Sequence, residues 1–281
     1  MTVLFEPWLQ FKHPIVRQLA LTIASPNIIR ETPKEMSVLH AFELHDNAFW
    51  RQQYVRYEKR LNQLDEQPEP LLRFVSSLKS TRLGLRFEYL MWFWLQDSAY
   101  HDFELLGHSI QIIEGKNTLG ELDFLLLNKN TQQIEHWEVA LKFYLAEGQM
   151  HLPEWYGLNR SDTLNRKLHH FSQKQFQFQT IDHHIIQKRV AVLKGQLYLP
   201  LKHHQFNLPH WVNPARRIGH WGNQCLSGYY RVERQEWICP HQSQSSPNAV
   251  WWCNGLYRNH ATQHDFMFRQ AENLTSSVRV L

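Results

Sequence analysis

The chain has 281 residues, 43% of them hydrophobic, enough to fill the core of one large domain or of a domain with an appendage. Lys and Arg number 30 against 26 Asp and Glu, so the formal charge of +4 is a mild excess and not the mark of a tight electrostatic binder. No apolar run approaches membrane-span length, three cysteines argue against a disulfide framework, and Met1-Thr2-Val3-Leu4-Phe5-Glu6-Pro7 lacks the basic-then-apolar pattern of a signal peptide, so a cytoplasmic protein with no membrane partner is expected.

In chain order, residues 8–24 read as helical apart from an interruption at Pro14, and residues 38–64 as a long amphipathic helix that stops before Gln67-Pro68-Glu69-Pro70. That Pro-bearing turn closes an N-terminal helical portion, residues 1–79. The next helix, Leu85-Arg86-Phe87-Glu88-Tyr89-Leu90-Met91-Trp92-Phe93-Trp94-Leu95, is apolar nearly all round and therefore buried, so Glu88 needs a partner: Arg82 or Arg86 near the same helix end, or a metal. A strand pair is expected over residues 103–113. Two further runs, GELDFLLLN (120–128) and HWEVALKFYL (136–145), flank the polar turn Asn128-Lys129-Asn130-Thr131 and read as an antiparallel hairpin.

After the hairpin, Arg160, Arg166, Lys167, His169, His170 and Lys174 cluster, and on a helix Arg166, His170 and Lys174 fall at i, i+4 and i+8 as one basic stripe. Such a stripe either contacts phosphate or is a solvated face. A strand over residues 190–201 follows. The order of helices and strands fits an α/β core, residues 80–200, with a central mixed sheet flanked by helices.

From residue 201 onward Trp211, Trp221, Trp237, Trp251 and Trp252 recur among short strand-like runs. Residues 201–281 thus read as a smaller β-rich extension closing with a short helix over 261–274, its aromatics either core or a stacking surface for unpaired bases. Cys239, His241, Cys253, His260 and His264 together offer zinc-ligand chemistry, but no CxxC pair is present and ordinary thiols are the default.

The chemistry concentrates in the hairpin. Acidic residues inside apolar strands are costly to bury without compensation, and a divalent cation is the usual compensation for converging carboxylates. Mg²⁺ suits hard oxygen ligands and lowers the pKa of a water that can attack phosphorus. Strand alternation puts Glu121 and Asp123 on one face, and Glu138, Ala140 and Lys142 on another. Glu121 is a bystander, and an edge-strand charge pair is the competing account of Glu138 and Lys142.

These residues resemble the PD-(D/E)XK nuclease superfamily and, more narrowly, an uncharacterised bacterial family of domain-of-unknown-function proteins within it. The resemblance runs over roughly residues 80–200: Leu83-Gly84-Leu85-Arg86-Phe87-Glu88, the hairpin, the Trp155-Tyr156-Gly157-Leu158-Asn159 turn, and Asp162-Thr163-Leu164-Asn165-Arg166-Lys167-Leu168, in that order. It implies a restriction-endonuclease-like core and a phosphodiesterase that hydrolyses nucleic acid, DNA ahead of RNA, with Mg²⁺ or Mn²⁺. Glu88, Asp123 and Glu138 would hold the metal, and Asp123, Glu138 and Lys142 would form the catalytic set. Arg166, Lys167 and Lys174 would contact the nucleic acid. Related nucleases that cut both strands often pair as homodimers, while this chain's own oligomeric state stays open.

The chain departs from the pattern at the last pair. The run is Glu138-Val139-Ala140-Leu141-Lys142, with Ala140 where the acid of a (D/E)xK pair would sit, and Glu138 and Lys142 lie roughly 13 Å apart along a regular strand. Three resolutions stay open: a bulge that closes the gap, Lys167 on the following helix in place of the strand lysine, or lost catalysis on a retained nucleic-acid-binding scaffold.

Overall fold

Four helices precede the first strand: α1 (Pro14–Ala24), α2 (Asn47–Glu66), α3 (Glu69–Ser76) and α4 (Leu83–Gln96). The computed structural model describes residues 4–201, 207–240 and 253–270. Pro14 begins α1 instead of interrupting it, because a missing N–H is harmless at the first helical position, and only a 3-10 turn, Pro7–Gln10, lies ahead of it. The long helix expected over 38–64 is corrected at its start. Asp46 caps α2 by accepting from the Phe49 N–H at 2.7 Å, and the preceding segment spends its backbone groups on a strand, with Glu43 bonded to Arg189 and Ala191.

The principal sheet has nine strands. β1 (Phe103–Glu114), β2 (Asn117–Asn128) and β3 (Gln133–Ala146) form an antiparallel meander, and β4 (Trp155–Tyr156) pairs with the end of β3. Helix α5 (Leu164–Gln173) and a two-strand ribbon, β5 (Thr180–Ile181) with β6 (His184–Ile185), lead to β7 (Lys188–Pro200), which lies parallel to β3. β8 (Gly219–Gly222), β9 (Tyr229–Arg231), β10 (Gly255–Asn259) and β11 (Asp265–Phe268) extend the same sheet, in the order β1-β2-β3-β7-β8-β11-β10-β9. The fold is mixed α/β around a large mixed sheet.

Two expectations are corrected here. Residues 103–113 form the single strand β1, which finds its partner in β2. The closing helix over 261–274 is replaced at Asp265–Phe268 by β11, all four residues of which are buried between β8 and β10, while residues 271–274 lie outside the described ones. Trp211, Trp221 and Trp237 are buried core residues, leaving little ring for a base to stack on; Trp251 and Trp252 lie outside the described residues.

Helices cover both faces of the sheet. Along β3, Trp137, Val139, Leu141, Phe143 and Leu145 pack toward α1, α2 and α4, where Trp137 meets Trp50, Trp94 and Phe103. The alternate positions Ala140 and Tyr144 pack with Leu164, Leu168 and Phe171 of α5. A strand buried on both faces reads as a continuous apolar run, as HWEVALKFYL does. Among the described residues no helix is long and apolar enough to cross a membrane.

β3 and β7 meet most tightly opposite Lys142. Its register partner Gly195 has φ +122°, and a Cβ there would collide with the Lys142 carbonyl oxygen. Gly195→Ala is therefore expected to destabilise the protein by about 2–4 kcal/mol, read as a lowered urea midpoint, combining backbone strain with a clash that no side-chain rotation relieves.

Candidate active site

β2 and β3 pair from Asn128↔Gln133 as far as Phe124↔Trp137 and then part. Beyond that rung β2 continues with β1 alone, and β3 with β7 and, at its far end, β4. Asp123 and Glu138 are the first residues past the fork. Backbone N–H groups released from a ladder need other acceptors. Here the Val139 N–H donates to Asp123 Oδ2 at 2.8 Å and the Asp123 N–H to Glu138 Oε1 at 3.4 Å, so two carboxylates stand in for the missing rungs. The hairpin thus brings the two acids together as its sequence suggests. Glu121 points away, exposed, and accepts from the Ser109 hydroxyl.

Glu138 is fully buried and Asp123 half-buried. Burial pushes the Glu138 carboxyl up to about 8, against the pull of Lys167 and of hydrogen bonds from Asp123, with Glu88 adding to the rise. Burial and then the charge of Glu138 raise Asp123 well above the carboxylate range, opposed by the Val139 N–H and Lys167. Lys167 on α5 faces this pair. Burial lowers its ammonium to about 8, while Glu138 and Asp123 hold it up.

Gln175, just past α5, ties these groups together. Its amide nitrogen donates to Glu138 Oε2, and its amide oxygen accepts from Lys167 Nζ at 2.8 Å. His136 Nε2 lies 2.6 Å from Glu138 Oε1. Burial and the nearby Arg189 lower the His136 ring to about 3, so it is neutral at physiological pH, and among the described residues its buried Nδ1 has no hydrogen-bond partner. Neither Gln175 nor His136 stands out in the sequence, since a glutamine and a strand histidine carry no signal until the fork brings them to Glu138.

The remaining expected site residues occupy distinct positions. Glu88 on α4 pairs with His108 Nε2 of β1 at 2.8 Å, while Arg86, one of the alternatives for its partner, donates to Gln18 Oε1 at 2.7 Å. Glu88 reaches the fork through its charge alone, adding to the rise of both carboxyls. Lys142 is held by Asp162 Oδ2 at 2.6 Å. Asp162 is fixed by the Trp155–Asn159 turn: the Gly157 N–H donates to the Asp162 carbonyl, which a Cβ at Gly157 would approach to 2.9 Å. Thr163 then caps α5, accepting from the Arg166 N–H at 3.1 Å. Arg166 is exposed beside Lys167, whereas Lys174 is the C-cap, past the last helical turn, and so leaves the i+8 position of the stripe.

Among the described residues no three His, Cys, Asp or Glu side chains are grouped to hold a metal ion. The fork offers two hard-oxygen carboxylates, the number by which Mg²⁺ is commonly held along with waters and substrate phosphate. Both hold their protons unusually tightly, as acids short of counter-charge do, so this donor pair fits a divalent cation. In the C-terminal region Cys239 is buried, His264 contacts His220 and Tyr229, and His241 lies outside the described residues.

The chain belongs to the family described as domain of unknown function (DUF1853), whose model matches residues 17–274. That span takes in the fork, α5 and the strands that extend the sheet, well beyond the stretch from 80 to 200 in which the short motifs lie. No match was found among curated proteins or among solved structures.

A carboxyl whose folded pKa is raised contributes stability that is fully present below its ordinary value and is lost as pH rises through the folded value. For Glu138 that window runs from the ordinary 4.5 to about 8. Metal-free protein is therefore expected to lose about 1–3 kcal/mol between those limits. Glu138→Gln, which keeps an acceptor without the titration, should flatten the decline; urea denaturation across the range reads both slopes.

Proposed function

We propose that the chain is a metal-dependent phosphodiesterase acting on nucleic acid, DNA ahead of RNA, on a restriction-endonuclease-like core of the PD-(D/E)XK superfamily. One observation carries the proposal: a buried carboxyl, Glu138, and a half-buried one, Asp123, converge where two strands part and face a half-buried lysine, Lys167. Two perturbed acids beside a perturbed lysine are a combination that hydrolytic sites use. The order of motifs around them adds the superfamily.

Asp123 and Glu138 would hold Mg²⁺ or Mn²⁺, which supplies Lewis acidity and charge neutralisation for attack by water on the phosphodiester. Lys167 takes the part of the strand lysine. Its ammonium, lowered to about 8, can pass a proton near neutrality or sit against a phosphate oxygen, and Gln175 keeps it in register with Glu138. Lys142, tied to Asp162, acts from the flank. The second of the three resolutions, a helix lysine in place of the strand lysine, is thus the one favoured here.

A binding module without turnover on the same fold is the second reading. It draws on the occupancy of Glu138, whose oxygens contact His136 and Gln175. Cleavage of single- and double-stranded DNA and RNA with Mg²⁺ or Mn²⁺ separates the two. Asp123→Ala should abolish cutting, Lys167→Met should lower kcat by about 10²–10⁴-fold, and Lys142→Ala should cost less than about 10-fold. Binding without cutting under every metal and substrate would favour the module. A larger loss from Lys142→Ala than from Lys167→Met would return the role to the strand.

A further inference from the structure

Three hollows adjoin one another through shared wall residues, the first of them at Lys167. The first, about 240 Å³, is walled by Arg166, Lys167, His170 and Asp162. Asp162 also lines the second, about 250 Å³, with Lys142, Arg82 and Arg234. The second shares Leu158, Asn159, Arg234 and Trp237 with the third, about 660 Å³, whose walls add Arg231 and Arg269. Shared walls make them one cleft. It leads from Lys167 at the carboxyl pair, past the start of α4, to the strands β9 and β10.

Its charge is concentrated. Seven Lys and Arg side chains line the cleft against two acids, Asp162 and Glu233, a local formal excess of +5 in a chain whose total is +4. Arg82 and Arg234 are exposed, and among the described residues neither makes an ion pair. Arg234 lies over the buried ring of Trp237, its centroid 5.4 Å away, and Trp237 donates to the Val232 carbonyl at 3.2 Å, so the guanidinium stands on a fixed base. A linear polyanion is the partner that matches cationic side chains spread over three adjoining hollows. Because Trp237 is buried, contact with phosphates, not stacking on bases, is the chemistry on offer.

We propose that this cleft is the track for the polynucleotide backbone beyond the scissile phosphate, with Arg82, Arg234, Arg231 and Arg269 as its phosphate-contacting residues. The inference rests on the nuclease reading of the fork and adds the residues that position the substrate. It assigns β9, β10 and Arg269, the residue after β11, a part in substrate binding, although they lie far from the acids in sequence.

The test is equilibrium binding in EDTA, where cleavage plays no part. The probe is a fluorescein-labelled DNA hairpin with a single-stranded tail of roughly 16 nucleotides, alongside its RNA counterpart. Relative to wild type, Arg82→Ala and Arg234→Ala should each weaken binding about 5–20-fold and reduce the slope of log K against log salt by about 0.7–0.9. Arg234→Lys, which keeps the charge, should retain most of the affinity; a loss as large as that of the Ala variant would contradict a phosphate contact. Variants that bind like wild type, with the same salt slope, would overturn the track and leave the nuclease reading standing. Wild-type protein that binds neither probe would overturn both.

Discussion

The parting of β2 from β3 is the constraint on which the site depends. A sheet can open only where its released backbone groups find other partners, and here the partners are the side chains of Asp123 and Glu138. Filling that role buries two acids side by side, and their desolvation and mutual repulsion then demand a positive charge. Lys167 supplies part of it from α5, with Gln175 as the clamp. What compensates the backbone thus also creates the electrostatic demand that a divalent cation would meet.

The rest of the fold holds that opening in place. β3 is locked to β7 along eleven register pairs, and Gly195 allows the close approach opposite Lys142. β2 is locked to β1, and His108 of β1 gives Glu88 a partner of its own. On one face the Trp137 cluster fixes the hairpin against α2 and α4; on the other, Leu164, Leu168 and Phe171 seat α5 so that Lys167 faces the acids. The C-terminal strands add to the same sheet and bring Arg231 and Arg234 to the cleft.

Asp123 and Glu138 were legible in the sequence because an acid inside an apolar strand run has few bland explanations. The hairpin was legible from its polar turn, and Asn128 Oδ1 does accept from the Asn130 and Thr131 N–H groups. Lys142 was less so: strand alternation puts it on the right face, but its salt bridge depends on a turn at Gly157 that fixes Asp162 twenty residues away. Gln175 and His136 were invisible, because their roles arise only when the fork forms. The start of α2 and the strand β11 are hidden from the sequence for a related reason: periodicity does not reveal when a sheet edge competes for a segment's backbone groups.

The proposed cation site at the fork needs the carboxylates of Asp123 and Glu138 together. Calorimetric titration of Mn²⁺ into metal-free protein, with Asp123→Asn and Glu138→Gln beside wild type, tests it without requiring a substrate. A single saturable site in wild type, released protons that report on the raised carboxyls, and loss of binding in both variants are expected. Saturable binding that survives both substitutions, or none in wild type, would contradict the proposed site.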